Sequence, residues 1–149
     1  MPALLANAAA TLFMTGLIWF VQVVHYPLFA LVPGPESAGY AARHQALTTL
    51  VVGPVMLVEL AAAVWLAITP PTGVAAWIPR VALAMLVAIW ASTALWQVPL
   101  HQKLLAGHET STVDALVGGN WLRTILWSLR GAAALWMIAL ASHAARGEA

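Results

Sequence analysis

Apolar residues fill four long stretches of this chain, and each stretch carries a few polar residues at helical spacing. A helix that crosses a bilayer needs about 20 mostly apolar residues. Stretches of that kind run over about residues 3–25, 40–68, 79–105 and 116–143. The first is expected to stop near Pro27. The second ends at Thr69-Pro70-Pro71-Thr72-Gly73. Pro79 suits the first turn of the third. The loop Gly107-His108-Glu109-Thr110-Ser111-Thr112 follows it, and the fourth begins between Asp114 and Asn120. Period-two alternation is missing, which excludes a closed barrel and leaves helices to satisfy the backbone in lipid. The expected fold is all-α: a single-domain, integral membrane four-helix bundle, up-down-up-down.

The polar positions fall on one face of each span. Thr11, Thr15, Gln22 and His25 share a face of span one, and His44, Thr48 and Glu59 a face of span two. Thr93, Gln97 and His101 do so on span three, and Arg123, Trp127 and Arg130 on span four. Residues three or four apart are neighbours on a helix. Polar groups in hydrocarbon are costly and face the bundle interior, so the four stripes should converge. Glu59 lies 15 residues beyond His44, roughly 22 Å at helical rise, too far to join the histidines. A buried Glu59–Arg130 ion pair is expected there, with a proton-handling Glu59 as the functional alternative.

Composition sharpens the class. The chain has 149 residues, 62% hydrophobic and 7% charged, against about 25% charged in soluble domains. Mean hydropathy is +0.88. The lipid bilayer is therefore its first partner, and an inner (plasma) membrane its expected place. A net charge of +1 offers no basic patch for nucleic acid. With no cysteine, disulfides, thiolate metal sites and covalent haem are excluded. The N-terminus lacks a basic leader, so its apolar run reads as a retained span. Arg43, Lys103 and Arg123 lie towards the side holding loops 1–2 and 3–4, against Arg80 and Arg146 opposite. That leans this polar mouth towards the cytoplasm.

At the mouth, His25 and His101 end their spans, while His44 and Asn120 open theirs. Gln22, Gln97 and Arg123 follow about one turn deeper. Neutral imidazole is a common ligand for zinc, copper and iron. His25, His44 and His101 are thus candidate metal ligands, for iron or copper first, with Gln22 and Gln97 orienting the rings. No HExxH pattern or paired Glu-x-x-His occurs. Two other readings stand beside the metal: a metal-free polar pocket for a small molecule, and structural polar glue between helices. Trp19, Trp90, Trp96 and Trp127 would border the pocket, as packing or as walls for a flat aromatic ligand. Trp77 and Trp121 fit an interfacial belt. Gln22–His25 near Pro27-Leu28 and Gln97–His101 around Pro99-Leu100 also suggest a faint two-span repeat. Ala61-Ala62-Ala63 and Ala132-Ala133-Ala134 offer close packing, within the bundle or between copies in a homo-oligomer.

The segments Gln22-Val-Val-His-Tyr-Pro-Leu28, Arg43-His44-Gln45, Gln97-Val-Pro-Leu-His101 and Asn120-Trp-Leu-Arg-Thr-Ile-Leu-Trp127 resemble the small four-span anthrone oxygenase-like family over nearly the whole chain. The resemblance implies a four-helix membrane bundle and, for some members, oxidation of anthrones to anthraquinones without metal or flavin. On that scheme a histidine is the base, and Asn120, Gln97 or Arg123 stabilises the enolate. His101 stands where many members carry a different polar residue. The expected function is a small membrane oxidoreductase, metal-dependent or cofactorless, acting on a hydrophobic aromatic or quinone-like molecule. His101, His25, His44 and Arg123 are its candidate catalytic residues, and Gln22, Gln97, Asn120, Trp96 and Trp127 its substrate-binding ones. The alternatives are a b-type cytochrome, with haem b between His25 and His101, and a non-enzymatic accessory or binding subunit.

Overall fold

The computed structural model describes residues 1–32, 34–107 and 109–147. Pro33, His108 and the last two residues of the tail, Glu148 and Ala149, lie outside the described residues. Four helices run through the rest: α1 (Pro2–Leu31), α2 (Glu36–Ile68), α3 (Trp77–Leu105) and α4 (Thr110–Gly147). All are long and apolar enough to cross a membrane. Each packs on its neighbours in the chain and α4 returns to α1, which closes a square up-down-up-down bundle. Met1, the Thr69–Thr72 turn, Ala141 and Ala145 border one hollow, so the start of α1, the end of α4 and the α2–α3 loop share a side. Large apolar side chains such as Leu50, Ile68 and Leu95 cover the outside, as a lipid-facing surface requires. The chain is a multi-pass membrane protein.

Three helices extend past their expected limits. α2 starts at Glu36 and α4 at Thr110, each several residues early, because turn-like polar residues there join a first helical turn. α1 does not stop at Pro27. A π turn over Val21–His25 precedes the proline, and Tyr26 N–H bonds to the Val21 carbonyl five residues back. α3 repeats the device: Thr93–Gln97 is a π turn, and Val98 N–H reaches the Thr93 carbonyl ahead of Pro99. Proline lacks an N–H and its ring crowds the carbonyl four residues earlier. A widened turn lets the helix continue past it. The two spans therefore correspond at Pro27-Leu28 and Pro99-Leu100. In that register His25 matches Gln97 and Phe29 matches His101, so the apparent Gln–Gln and His–His echo is out of step.

A polar layer divides the interior. Leu4, Leu66, Val74, Ile78, Met137 and Ala141 pack at the terminal end. Met14, Ile18, Ile89, Leu116 and Trp127 belong to the larger core towards the mouth. Between them Glu59 and Arg130 meet, with Arg130 Nη2 at 3.0 Å from Glu59 Oε1 and Nε at 3.1 Å. Thr11 Oγ1 donates to the same oxygen at 2.8 Å, and Trp127 Nε1 donates to Oε2 at 3.2 Å. Arg130 also donates to the Ala82 carbonyl and reaches Asn7 Oδ1 at 3.5 Å. All four helices thus supply a partner. Glu59 is fully buried and Arg130 nearly so. Gly131 lets α1 come close: a β-carbon there would stand 3.2 Å from Thr15 Oγ1, whose hydroxyl donates to the Trp127 carbonyl at 2.9 Å. Ala62, Ala63 and Ala134 are buried within the bundle.

Breaking a buried pair from one side leaves a bare charge and costs about 3–5 kcal/mol. Arg130→Met and Glu59→Gln should therefore each lower unfolding stability in detergent by that order, because each leaves the other charge buried and bare. Losses within about 0.5 kcal/mol of zero, as at ordinary surface positions, would show that the ion pair does not organise the core. At the start of α4, the Glu109 carboxylate accepts the Thr112 and Ser111 hydroxyls, each at 2.8 Å. These bonds, Thr112 first, hold its pKa below the ordinary carboxylate value. A lowered pKa means the contribution is full above the ordinary value and fades as pH falls through the folded one. Amides of the first α4 turn should lose hydrogen-exchange protection on acidification, and Glu109→Gln should show that loss already at neutral pH.

Candidate functional site

The π turns decide which side chains face inward at the mouth. One extra residue in the turn brings Tyr26 under Gln22 on the inner face, and both are buried. His25 rotates outward to half-burial. Sequence spacing had placed His25 on the inner stripe and gave Tyr26 no role, because Pro27 marked a helix end. The clue was in the chain: a proline within an apolar stretch long enough to span means the helix runs through it.

From Tyr26 a chain of hydrogen bonds crosses the bundle. Arg123 Nη2 donates to the Tyr26 hydroxyl at 3.3 Å, and that hydroxyl lies 3.0 Å from His101 Nε2. Arginine only donates, so the Tyr26 oxygen accepts from it with one lone pair and keeps both a proton and a second lone pair with which to meet either tautomer of His101. His101 Nδ1 is a buried atom with no partner among the described residues. Arg123 Nη1 donates to Thr93 Oγ1 at 3.2 Å. Its Nε and Nη2 grip Asn120 Oδ1 at 2.9 and 2.6 Å. Asn120 Nδ2 in turn donates to Gln22 Oε1 at 2.9 Å, and Gln22 Nε2 to the Val117 carbonyl at 3.1 Å. The Arg123 guanidinium carbon sits 5.9 Å from the Trp127 ring centroid. Every partner of Arg123 is neutral. The only acid–base pair among the described residues is Glu59–Arg130. Arg123 is therefore a buried cation without a counter-ion.

These groups border a cavity of about 170 Å³ lined by residues of all four helices. Met14, Leu17, Ile18, Val52 and Met56 make its apolar walls, and Trp127 closes its inner end. Arg123, Tyr26, His44, His101, Thr48 and Gln97 give it a polar side. Gln97 is buried, and neither its amide oxygen nor its amide nitrogen has a partner among the described residues. Bare buried amides are rare, and a ligand in the cavity would satisfy this one.

The three expected histidines do come together. His25 Nε2 lies 2.6 Å from His44 Nδ1, and the His44 ring is 4.6 Å from the His25 centroid and 5.1 Å from that of His101. Thr48 Oγ1 also meets His44 Nδ1 at 3.2 Å. The rings pack face on face, and the facing nitrogens of His25 and His44 are spent on one another. Among the described residues no group of three His, Asp or Glu is disposed around a point where a metal could sit. A haem held axially by His25 and His101 would need the His44 ring, which packs on His25 and on His101, to move aside.

Three other placements need correction. Trp96 does not line the cavity; it is 55% exposed on the outer surface, close enough to Gly119 that a β-carbon there would overlap its indole. Trp19 also faces outward, donating to Ser128 Oγ at 3.0 Å beside Trp121. Gln22 and Asn120 lie behind Arg123 and hold it in place, away from the cavity wall. His25 borders an outer groove between α1 and α2. Compared with protein-family models, curated proteins and solved structures, the chain matches none.

Removing a buried partner costs about 1–3 kcal/mol where it leaves polar groups unsatisfied. Gln22→Ala and Asn120→Ala should each destabilise by that order. Because both act on Arg123 through one network, the double variant should differ from the sum by at least about 0.5 kcal/mol. Strict additivity in thermal unfolding would mean that they do not act as a unit.

Proposed function

We propose that this chain is a small oxidoreductase of the plasma (inner) membrane that oxidises a hydrophobic, aromatic or quinone-like molecule through its enolate or phenolate. The observation that carries this reading is the unpaired Arg123 guanidinium, joined through Tyr26 to His101 at the edge of an apolar cavity. A buried cation fixed by neutral groups favours negative charge that develops on a ligand, and preorganised donors of this kind are usually the largest catalytic term. The resemblance to anthrone oxygenase-like proteins points the same way.

His101 supplies the base. In the tautomer that carries its proton on Nε2, His101 donates to the Tyr26 oxygen and keeps the Nδ1 lone pair free. Nδ1 removes a proton from a ring CH₂ beside the conjugated carbonyl. The charge passes to the carbonyl oxygen, within the field of Arg123 and the amide of Gln97. The enolate carbon gives its electrons to dioxygen and forms a C–O bond. The peroxide takes the proton back from His101, and loss of water leaves a second carbonyl. One CH₂ and one O₂ thus become one C=O and one H₂O.

Oxygen uptake by the full chain in nanodiscs, with enolisable aromatic ketones and hydroquinones, tests this. His101→Ala should lower turnover about 10²–10⁴-fold, the usual weight of a general base, while the protein stays folded. Full activity in that variant would refute the assignment. Metal analysis and an optical spectrum belong to the same experiment. Near-stoichiometric iron or copper that disappears in the His25/His44/His101 triple alanine variant would replace the cofactorless route with a metal-dependent one.

A further inference from the structure

The cavity sets limits on what it holds. At about 170 Å³ it is close to the ~150 Å³ of an engineered apolar cavity that takes up benzene. One aromatic ring with a few substituents fits, and three fused rings do not. Its polar atoms form a matched set: the Arg123 guanidinium, the unpartnered Gln97 amide and the unpartnered His101 Nδ1. A cation beside a free amide suits an oxygen that ionises.

The cavity wall reaches the outer surface of the bundle between α2 and α3. Among its lining residues, Thr49 of α2 and Val98 of α3 are exposed on the outer surface. Thr49 lies five residues beyond His44, about 7 Å deeper into the bilayer at helical rise. The gap between α2 and α3 therefore faces the hydrocarbon, not the water at the mouth. Beyond it lie Leu50 and Leu95, which are among the most exposed apolar side chains.

We infer that the site binds a one-ring amphiphile with an ionisable ring hydroxyl, its head held as the anion by Arg123 and Gln97 and its alkyl tail leaving between Thr49 and Val98 into the bilayer. This rests on the reading of Arg123 given under the proposed function, and narrows the ligand to one-ring, tailed molecules that bind through an ionised ring oxygen. The tail needs no volume inside the protein, which reconciles a small cavity with a hydrophobic substrate. A head that enters sideways also never has to cross the His25–His44–His101 stack.

The test is spectroscopic. 4-Nitrophenol, and the same phenol with an octyl chain beside its hydroxyl, turn yellow on ionisation. Titrated with the full chain in nanodiscs, the bound probe should ionise about one to three pH units below its value in empty nanodiscs, as an adjacent cation dictates. Arg123→Gln should abolish the shift. Val98→Trp, at an exposed position that leaves the core intact, should weaken the tailed probe at least tenfold and spare plain 4-nitrophenol. No shift in the folded wild-type protein would overturn the inference. So would equal loss of both probes in Val98→Trp, or competition by 1,8-dihydroxyanthrone as strong as by the tailed phenol. A protein that shifts the probe yet consumes no oxygen would support the site while removing the catalytic reading.

Discussion

Everything in this bundle depends on where its buried charges are neutralised. Among the described residues the interior holds three acidic or basic side chains that are not histidine: Glu59, Arg130 and Arg123. Glu59 and Arg130 cancel within a layer that draws a partner from each helix. Lipid offers no hydrophobic drive for helices to associate, because its tails are as apolar as leucine. Polar contacts and close packing do that work instead, and this layer is where the four helices are tied in register. Once Glu59 is committed there, no buried carboxylate among the described residues remains for Arg123.

The same commitment orders the cavity. Trp127 donates its indole N–H to Glu59 on one side and turns its ring towards Arg123 on the other. The inner wall of the pocket is therefore anchored to the ion-pair layer. Asn120 and Gln22 hold Arg123 from behind, so the guanidinium is fixed before any ligand arrives. Preorganisation of this kind moves the cost of burying a cation into folding, where the whole bundle shares it.

The chain showed its spans, its stripes and its buried pair plainly, because hydropathy and helical spacing are local signals. Glu59 and Arg130 were readable together: each is a charge deep within an apolar span, and such charges pair. The convergence of His25, His44 and His101 also followed from their depth. Tyr26 was not readable, because spacing arguments assume 3.6 residues per turn, and a π turn before Pro27 shifts every later side chain by one position. The same assumption kept His25 on the inner stripe. Trp96 was misplaced for a related reason: it lies inside the second π turn, next to Gln97, and only one of the two can face the interior. Gln97 does, and Trp96 covers Gly119 instead.

The paired π turns carry a consequence for chemistry. A π turn leaves backbone bonds less regular and recurs at functional positions in helices. Here both lie at the same level of α1 and α3, each six residues ahead of its proline by first position, and they flank Arg123 from two sides. The α1 turn delivers Tyr26, and the α3 turn begins at Thr93 and ends at Gln97. These are two of the neutral groups that touch Arg123 and the one bare amide beside it. Straight helices of the same sequence would put a histidine and a tryptophan nearer those positions and leave the guanidinium poorly held. The prolines are thus part of how the site is made, because without them nothing in these apolar spans would favour the wider turn.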